Sequence, residues 1–176
     1  MTLDQQIQVW NAIGTWLAGI ATFAAVVVSL RLVSRADRVR LKVHAGIRLL
    51  FIGDGSPAEE LLEIHVTNLG DRPATVTSVG WAIGKRKKRR YCLQSLSGRY
   101  TAQYPKELAH GQSASFQVSF VETPHWANDF VDKFVASGGE PLNTLVAQVH
   151  TSVGQTVEVR AEPNLIEALT KVRENG

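Results

Sequence analysis

One cysteine, Cys92, in 176 residues leaves no room for an internal disulfide. The fold must therefore rest on an apolar core, and a lone thiol fits a reducing compartment. Internal repeats and low-complexity tracts are missing, which sets aside solenoids and repeat arrays. A Gly-x-Ser-x-Gly elbow and a glycine-rich loop leading into a helix are missing too, so the common nucleophile and phosphate-loop signatures do not occur. The five histidines, at positions 44, 65, 110, 125 and 150, never reach the close spacing of a zinc site, and no second thiol helps Cys92. His44, His65 and His150 would meet only on neighbouring strands. No catalytic residue, metal or cofactor is expected, and the chain is read as a non-enzyme.

Charge is missing from one long stretch. Between Ile13 and Leu30 there is no ionisable side chain in 18 positions, and apolar character extends outward to Trp10 and Val33. At ~1.5 Å per residue, a helix from Trp10 to Val33 covers roughly 36 Å, enough for a ~30 Å hydrocarbon layer with some tilt. A cleaved signal peptide and a buried helix of a water-soluble protein are the competing readings. The signal-peptide reading wants a basic start, whereas MTLDQQIQ carries one acid and no basic side chain, and the bases follow the apolar run. A retained transmembrane helix over residues 9–33 is therefore expected, after a short external tail (1–8).

Placing residues at 100° per position gathers Asn11, Gly14, Thr15, Ala18, Thr22, Ala25 and Ser29 within about a third of the circumference. Trp16, Leu17, Ile20, Phe23, Val27 and Leu30 fall opposite. Lipid tails are as apolar as leucine, so helices associate in a bilayer through close approach at small residues and through interhelical hydrogen bonds. Those seven residues are the expected helix–helix interface of a homo-oligomer.

The excess of Lys and Arg over Asp and Glu, 19 to 16, sits in two places. Arg31, Arg35, Arg38, Arg40 and Lys42 follow the apolar run, which predicts an external amino terminus and a cytoplasmic body at the inner membrane. Residues 34–42 read as a basic juxtamembrane linker. The second patch is Lys85, Arg86, Lys87, Lys88, Arg89 and Arg90, whose mutual repulsion calls for solvent or an anionic partner. Lipid headgroups are the nearest anions for both patches, and Arg35, Arg38, Arg40, Lys42 and the run 85–90 are the expected lipid or anion contacts. Nucleic acid ranks below them. A solvated hairpin loop that discourages edge pairing is the plain alternative.

Beyond Lys42 the periodicity becomes two residues. Val43, Ala45, Ile47, Leu49 and Phe51 alternate with His44, Gly46, Arg48 and Leu50, and Leu62, Ile64 and Val66 with Glu63, His65 and Thr67. NLGDRP is turn chemistry, and a slip of phase between Val76 and Val79 predicts a bulge near Ser78. Further strands are expected over 74–84, 91–96, 113–120, 145–151 and 156–160, with Ala114, Phe116, Val118 and Phe120 inward and SVGQ as a hairpin turn. Thr123 as cap, Pro124 as first residue, and Trp126, Phe130 and Phe134 at four-residue spacing predict one inserted helix ending at Gly138 and Gly139. A second helix is expected over 163–172, packing on the body or on a neighbouring copy. Trp81, Trp126, Phe116, Phe130 and Phe134 are expected in the core, with a groove between helix and sheet as the functional alternative.

LLEIHVTNLGDRPATVTSVGW, followed by LAHGQSASFQV and a final hairpin, resembles the strand, Asn-x-Gly turn, Pro, strand pattern of bacterial immunoglobulin-like and fibronectin-III-like modules. The chain also resembles small bacterial membrane proteins of uncharacterised role that join one N-terminal transmembrane helix to such a module. The resemblance implies a mainly β fold: an immunoglobulin-like β-sandwich of about seven strands at 43–161, with one inserted helix, a C-terminal helix and tail (162–176), and a single transmembrane α-helix before it. The Cys and Trp spacing of antibody domains is missing, so a variant sandwich is implied, and no activity.

The function expected from this reading is a single-pass membrane protein that self-associates through its helix and uses a cytoplasmic domain for assembly or for recognising a protein partner. An extension is a membrane-perturbing effector of bacterial defence, if the hydroxyls of Thr15, Thr22 and Ser29 line a path. The alternative is a membrane-anchored sensor of an anionic small molecule or nucleotide.

Overall fold

The computed structural model describes residues 3–36, 39–53, 55, 57–85, 88–136 and 139–175. The chain divides into two compact units, Met1–Arg38 and Val39–Gly176. The first is a 34-residue helix, α1 (Leu3–Ala36). It begins earlier than the expected span, because DQQIQ contains no helix breaker and the helix propagates through it. The expected external tail is thus mostly helical.

The second unit carries, among the described residues, eight strands in two antiparallel sheets. Strands β1 (Leu41–Leu50), β2 (Glu59–Asn68) and β6 (Ser113–Ser119) form one sheet in the order β1-β2-β6. The other runs β4-β3-β7-β8, from β3 (Ala74–Ile83), β4 (Arg90–Leu93), β7 (Val146–Thr151) and β8 (Thr156–Arg160). A three-residue strand, β5 (Lys106–Leu108), also pairs with β3. Seven of the eight strands carry the alternation read above. β5 does not, since three residues are too few to show a period of two.

The bulge falls where the phase slip put it, with the β3–β7 register shifting between Val76 and Ser78. On the other edge of β3, β5 and β4 leave a gap at Val79. Gln94 N–H donates to the Val79 carbonyl (3.0 Å), and the Tyr104 hydroxyl accepts the Val79 N–H (3.1 Å). Tyr104 in turn stacks on Phe116 with centroids 5.0 Å apart, and its burial pushes the phenol well above its ordinary pKa. Trp81, Phe116, Ile64, Val79 and Leu145 fill the space between the sheets.

Two inward assignments need correction. Leu49 of β1 and Phe51 just beyond its end hold the inward phase but are exposed, because this end of the β1–β2 hairpin runs past the core. Conversely Gln117 and Ser119, expected to face water, are buried. Residues 97–102 run along β6 and cover its edge: Ser97 N–H donates to Gln117 O (3.0 Å), Ala102 N–H to Ser115 O (2.9 Å), and Thr101 Oγ1 accepts Gln117 N–H (2.9 Å).

The turn after β2 is organised by a fully buried asparagine. Asn68 Nδ2 donates to the carbonyls of Arg72 (2.7 Å) and Leu108 (2.9 Å), while its Oδ1 accepts Gly70 N–H (2.9 Å). One side chain thus ties the β2–β3 turn to β5.

The inserted helix is shorter than expected. α2 covers Trp126–Phe130 and passes into a π-helical turn over Val131–Val135. Thr123 does not cap it. Its hydroxyl donates back to Ser119 O (2.6 Å), leaving His125 at the N-cap without a side-chain bond. Trp126, Phe130 and Phe134 do share one face, with centroid separations of 4.9 and 5.2 Å, and Phe130 meets Trp81 edge-on at 5.8 Å.

The C-terminal helix α3 (Pro163–Asn175) packs within this unit, burying Leu165 and Leu169 in the core. Its second residue, Asn164, and Glu162 just before the helix close the free edge of β1. Asn164 bonds both backbone groups of Ile47, as donor at 2.9 Å and acceptor at 3.4 Å, and Glu162 N–H donates to Ala45 O at 2.9 Å. Glu162 also receives a bidentate fork from Arg48, at 2.7 and 2.8 Å. Gly46 makes room for this cluster, since a Cβ there would come within 2.5 Å of Glu162 Oε2.

Hydrogen bonding from Arg48 holds the Glu162 carboxyl below its ordinary pKa, despite opposition from desolvation. A depressed carboxyl stabilises the folded state at neutral pH and loses that contribution as pH falls below about 4.5 and through the folded value. Urea midpoints measured at pH 6 and pH 3.5 should therefore drop more for the wild type than for Glu162→Gln, whose side chain does not titrate. An equal drop would remove Glu162 from the acid response.

Candidate functional site

The described side chains of α1 are almost all exposed, those of Asn11, Gly14, Thr15, Ala18, Thr22, Ala25 and Ser29 included. The helix is regular, so these seven share one face, and what distinguishes that face from the opposite one is size more than polarity. A Cβ added at Gly14 or Gly19 would meet nothing within 4 Å, which leaves open notches. The hydroxyls of Thr15 and Thr22 donate to their own helix, to Asn11 O (2.9 Å) and Ala18 O (2.8 Å). Their protons are already used, so at these positions the face offers close approach and an acceptor oxygen. The stretch Ile13–Arg31, mean hydropathy 2.0, is long and apolar enough to cross a membrane by length and composition, as is a signal sequence.

Of the basic residues after this stretch, the side chain of Arg35 and all of Arg38 lie outside the described residues. Arg40 and Lys42 are exposed but belong to the β body, not to a free linker. The Arg40 carbonyl accepts Leu69 N–H (2.7 Å), and Lys42 lies within β1 opposite Thr67.

The β3–β4 connection carries the second patch, and the structure divides it. Arg86 and Lys87 lie outside the described residues, and Lys85 and Lys88 are exposed. Arg89 and Arg90, expected as anion contacts, are engaged by the fold itself, Arg89 from just before β4 and Arg90 from its first residue. Arg89 reaches across the sheet to Glu158 on β8 (2.7 Å) and covers the Tyr91 ring at 5.5 Å. Arg90 donates to the carbonyls of Phe134 and Val135 at the end of the π-helical turn and lies 5.4 Å from the Phe134 ring. A guanidinium at a helix C-terminus satisfies carbonyls that have no intrahelical partner.

Beneath this hairpin is a recess of about 350 Å³, lined by Lys85, Arg89, Asn143, Thr144, Glu158 and Arg160 together with Gly84 and Val146. Backbone pairing assembles it. Gly84, at φ +92°, donates its N–H to Thr144 Oγ1 (3.0 Å), and Val146 on β7 registers with Arg160 on β8. Arg89 and a Gln148 amide (2.9 Å) both engage Glu158, and the Arg89 bond holds that carboxyl below its ordinary pKa. Sequence reading missed Asn143, Thr144 and Arg160. Arg160 is isolated among acids in the sequence, and only its place on an outer sheet face brings it to Lys85.

A second groove, about 520 Å³, separates β4 from α2 and is walled by Cys92, Leu93, Trp126, Phe130 and Phe134. It corresponds to the helix–sheet groove considered from sequence. Burial pushes the Cys92 thiol up to about 11, so it is protonated and a poor nucleophile at neutral pH. His44 and His65 do face each other across β1 and β2, but His150 lies in the other sheet, bonded to Thr156 (3.0 Å). Among the described residues no group of three or more His, Cys, Asp or Glu is placed to hold a metal ion.

No family model matches this chain, and neither does any curated protein. Among solved structures, the chain is similar to a Bordetella pertussis protein provisionally named ApaA. The identity is 15%, with 70% of this chain and 89% of that one covered, at a TM-score of 0.32. It is also similar to a Northeast Structural Genomics Consortium target, at 12% identity over 73% of this chain and 88% of that one, with a TM-score of 0.27.

Proposed function

We propose that this chain is a single-pass membrane protein that self-associates through α1 and presents a cytoplasmic immunoglobulin-like domain for assembly or partner recognition. The observation that carries the reading is the state of Ile13–Arg31, none of whose apolar window is buried. Each large side chain there, Trp16 and Phe23 among them, forgoes roughly 1.5–3 kcal/mol in water that an apolar medium would return. A helix apolar on every side has no face to offer water, and lipid supplies that medium with its backbone bonds already closed.

The strand order supports the module reading. β1-β2-β6 opposite β4-β3-β7-β8 is the arrangement of immunoglobulin-related sandwiches, with β3, β7 and β8 in the places of strands C, F and G. The cytoplasmic assignment rests on the bases that follow the helix. A polar path through a helix bundle draws no support from Thr15 and Thr22, whose hydroxyl protons are spent internally.

Carbonate washing of membranes from expressing cells should leave the chain in the pellet, and protease added to intact spheroplasts should spare its carboxyl-terminal domain. Release of the full-length chain into the supernatant overturns the membrane assignment, and cleavage of that domain overturns the orientation.

A further inference from the structure

The recess beneath the β3–β4 hairpin combines features that its structural role does not require. Three cations, Lys85, Arg89 and Arg160, line one concavity with a single carboxylate, Glu158. Arg89 and Glu158 pair at 2.7 Å, and Glu158 is held a second time by Gln148. Lys85 and Arg160 are left without an ion-pair partner among the described residues, on elements 75 positions apart in sequence. The carboxylate of Glu140 packs beside Gly84 but does not line the recess.

Converging like charges repel unless a counter-charge lies between them, and a concave low-dielectric wall strengthens both effects. Asn143 adds an exposed amide to the same wall, a neutral donor beside the two cations. The planar fork of Arg160 suits two oxygens of one anion, and Lys85 a third as a point charge. That donor set matches a tetrahedral oxyanion with three or more acceptor oxygens better than a carboxylate, which offers two.

We infer that this recess binds a phosphate group, with Arg160 and Lys85 as its charged contacts, Asn143 as its amide donor and the Arg89–Glu158 pair as the rigid wall that positions them. The volume of about 350 Å³ admits a phosphate together with part of the alcohol it esterifies. The site lies wholly within Val39–Gly176 and goes beyond the membrane reading. Its failure would leave α1 untouched, and a failure of the membrane assignment would leave the recess intact. Phosphate on an anionic lipid and phosphate on a soluble ester share this chemistry.

The test is calorimetric titration of the full-length chain, in uncharged detergent at low salt, with inorganic phosphate and with glycerol 3-phosphate. Saturable binding is expected, weakened about tenfold or more by Arg160→Gln and by Lys85→Gln, a loss of ~1.4 kcal/mol each. The double variant Arg99→Gln, Lys106→Gln removes exposed cations elsewhere and should leave binding unchanged. Repeating the titration in nanodiscs of phosphatidylcholine alone and of phosphatidylcholine with phosphatidylglycerol separates the sources. Competition by the anionic lipid assigns a headgroup, and its absence assigns a soluble ester. No saturable binding of either phosphate compound, or an equal loss in the control variant, overturns the proposal.

Discussion

Asn68→Ala should lower the unfolding free energy of the β body by about 3 kcal/mol and its midpoint temperature by roughly 10 °C. Three hydrogen bonds disappear with the amide, and two of the groups left behind, Gly70 N–H and the Leu108 carbonyl, sit where water does not replace the partner. The loss is concentrated because this one side chain joins the β2–β3 turn to β5, so the register of β5 on β3 weakens with it. Asn68→Asp separates hydrogen bonding from shape. The carboxylate keeps the bond from Gly70 but turns lone pairs toward two carbonyls inside the protein, which raises its pKa. A raised carboxyl destabilises the fold above its unfolded pKa, and this penalty lessens as pH falls. The variant should therefore be at least as unstable as Asn68→Ala at pH 7 and recover part of the difference near pH 4. Thermal unfolding followed by circular dichroism at the two pH values reads both effects. An aspartate variant as stable as wild type at pH 7 would mean that only the size of Asn68 matters.

Cysteines placed on α1 should crosslink between copies from one face only. In a Cys92→Ala background, Ala18→Cys and Ala25→Cys lie on the small-residue face, and Ile20→Cys and Val27→Cys on the bulky one. Oxidation in native membranes should give dimers from the first two at about ten times the yield of the others, the ratio a preference of ~1.4 kcal/mol produces. Gly14→Ile added to Ala18→Cys should abolish the product, because the branched side chain fills the notch that lets backbones approach. The expected strength is modest. With the Thr15 and Thr22 protons donated internally, the seam depends on packing and on the amide of Asn11, so a single bulky residue suffices to disrupt it. Equal crosslinking from both faces would reduce α1 to an anchor.

Seven strands formed where the sequence placed them, β4 ending three residues before its expected end, whereas β5, with three residues, was too short for a period of two to repeat. The bulge in β3 was legible because one extra residue reverses the phase that follows it. α3 was legible through Pro163 at its start and the spacing of Leu165, Ile166 and Leu169. Thr123 misled because a hydroxyl has several backbone partners within reach, and the carbonyl of Ser119 won over the helix N–H groups.

The basic run shows the division most clearly. As a string, Lys85 to Arg90 is six equivalent cations. In the fold, Arg89 pairs with Glu158 and Arg90 donates to the carbonyls of Phe134 and Val135, while Lys85 lines a recess with Arg160. Gln117 and Ser119 likewise read as solvent-facing until residues 97–102 lie against them.

The sequence by itself determined the apolar N-terminal helix with its slim face, seven of the strands and the greater part of their inward residues, because these follow from local periodicity. Only the tertiary structure decided which cations are anchors and which are free, and which distant residues share a concavity. Those properties depend on strand order and register, set by which hydrophobic faces close on one another across more than a hundred residues of chain.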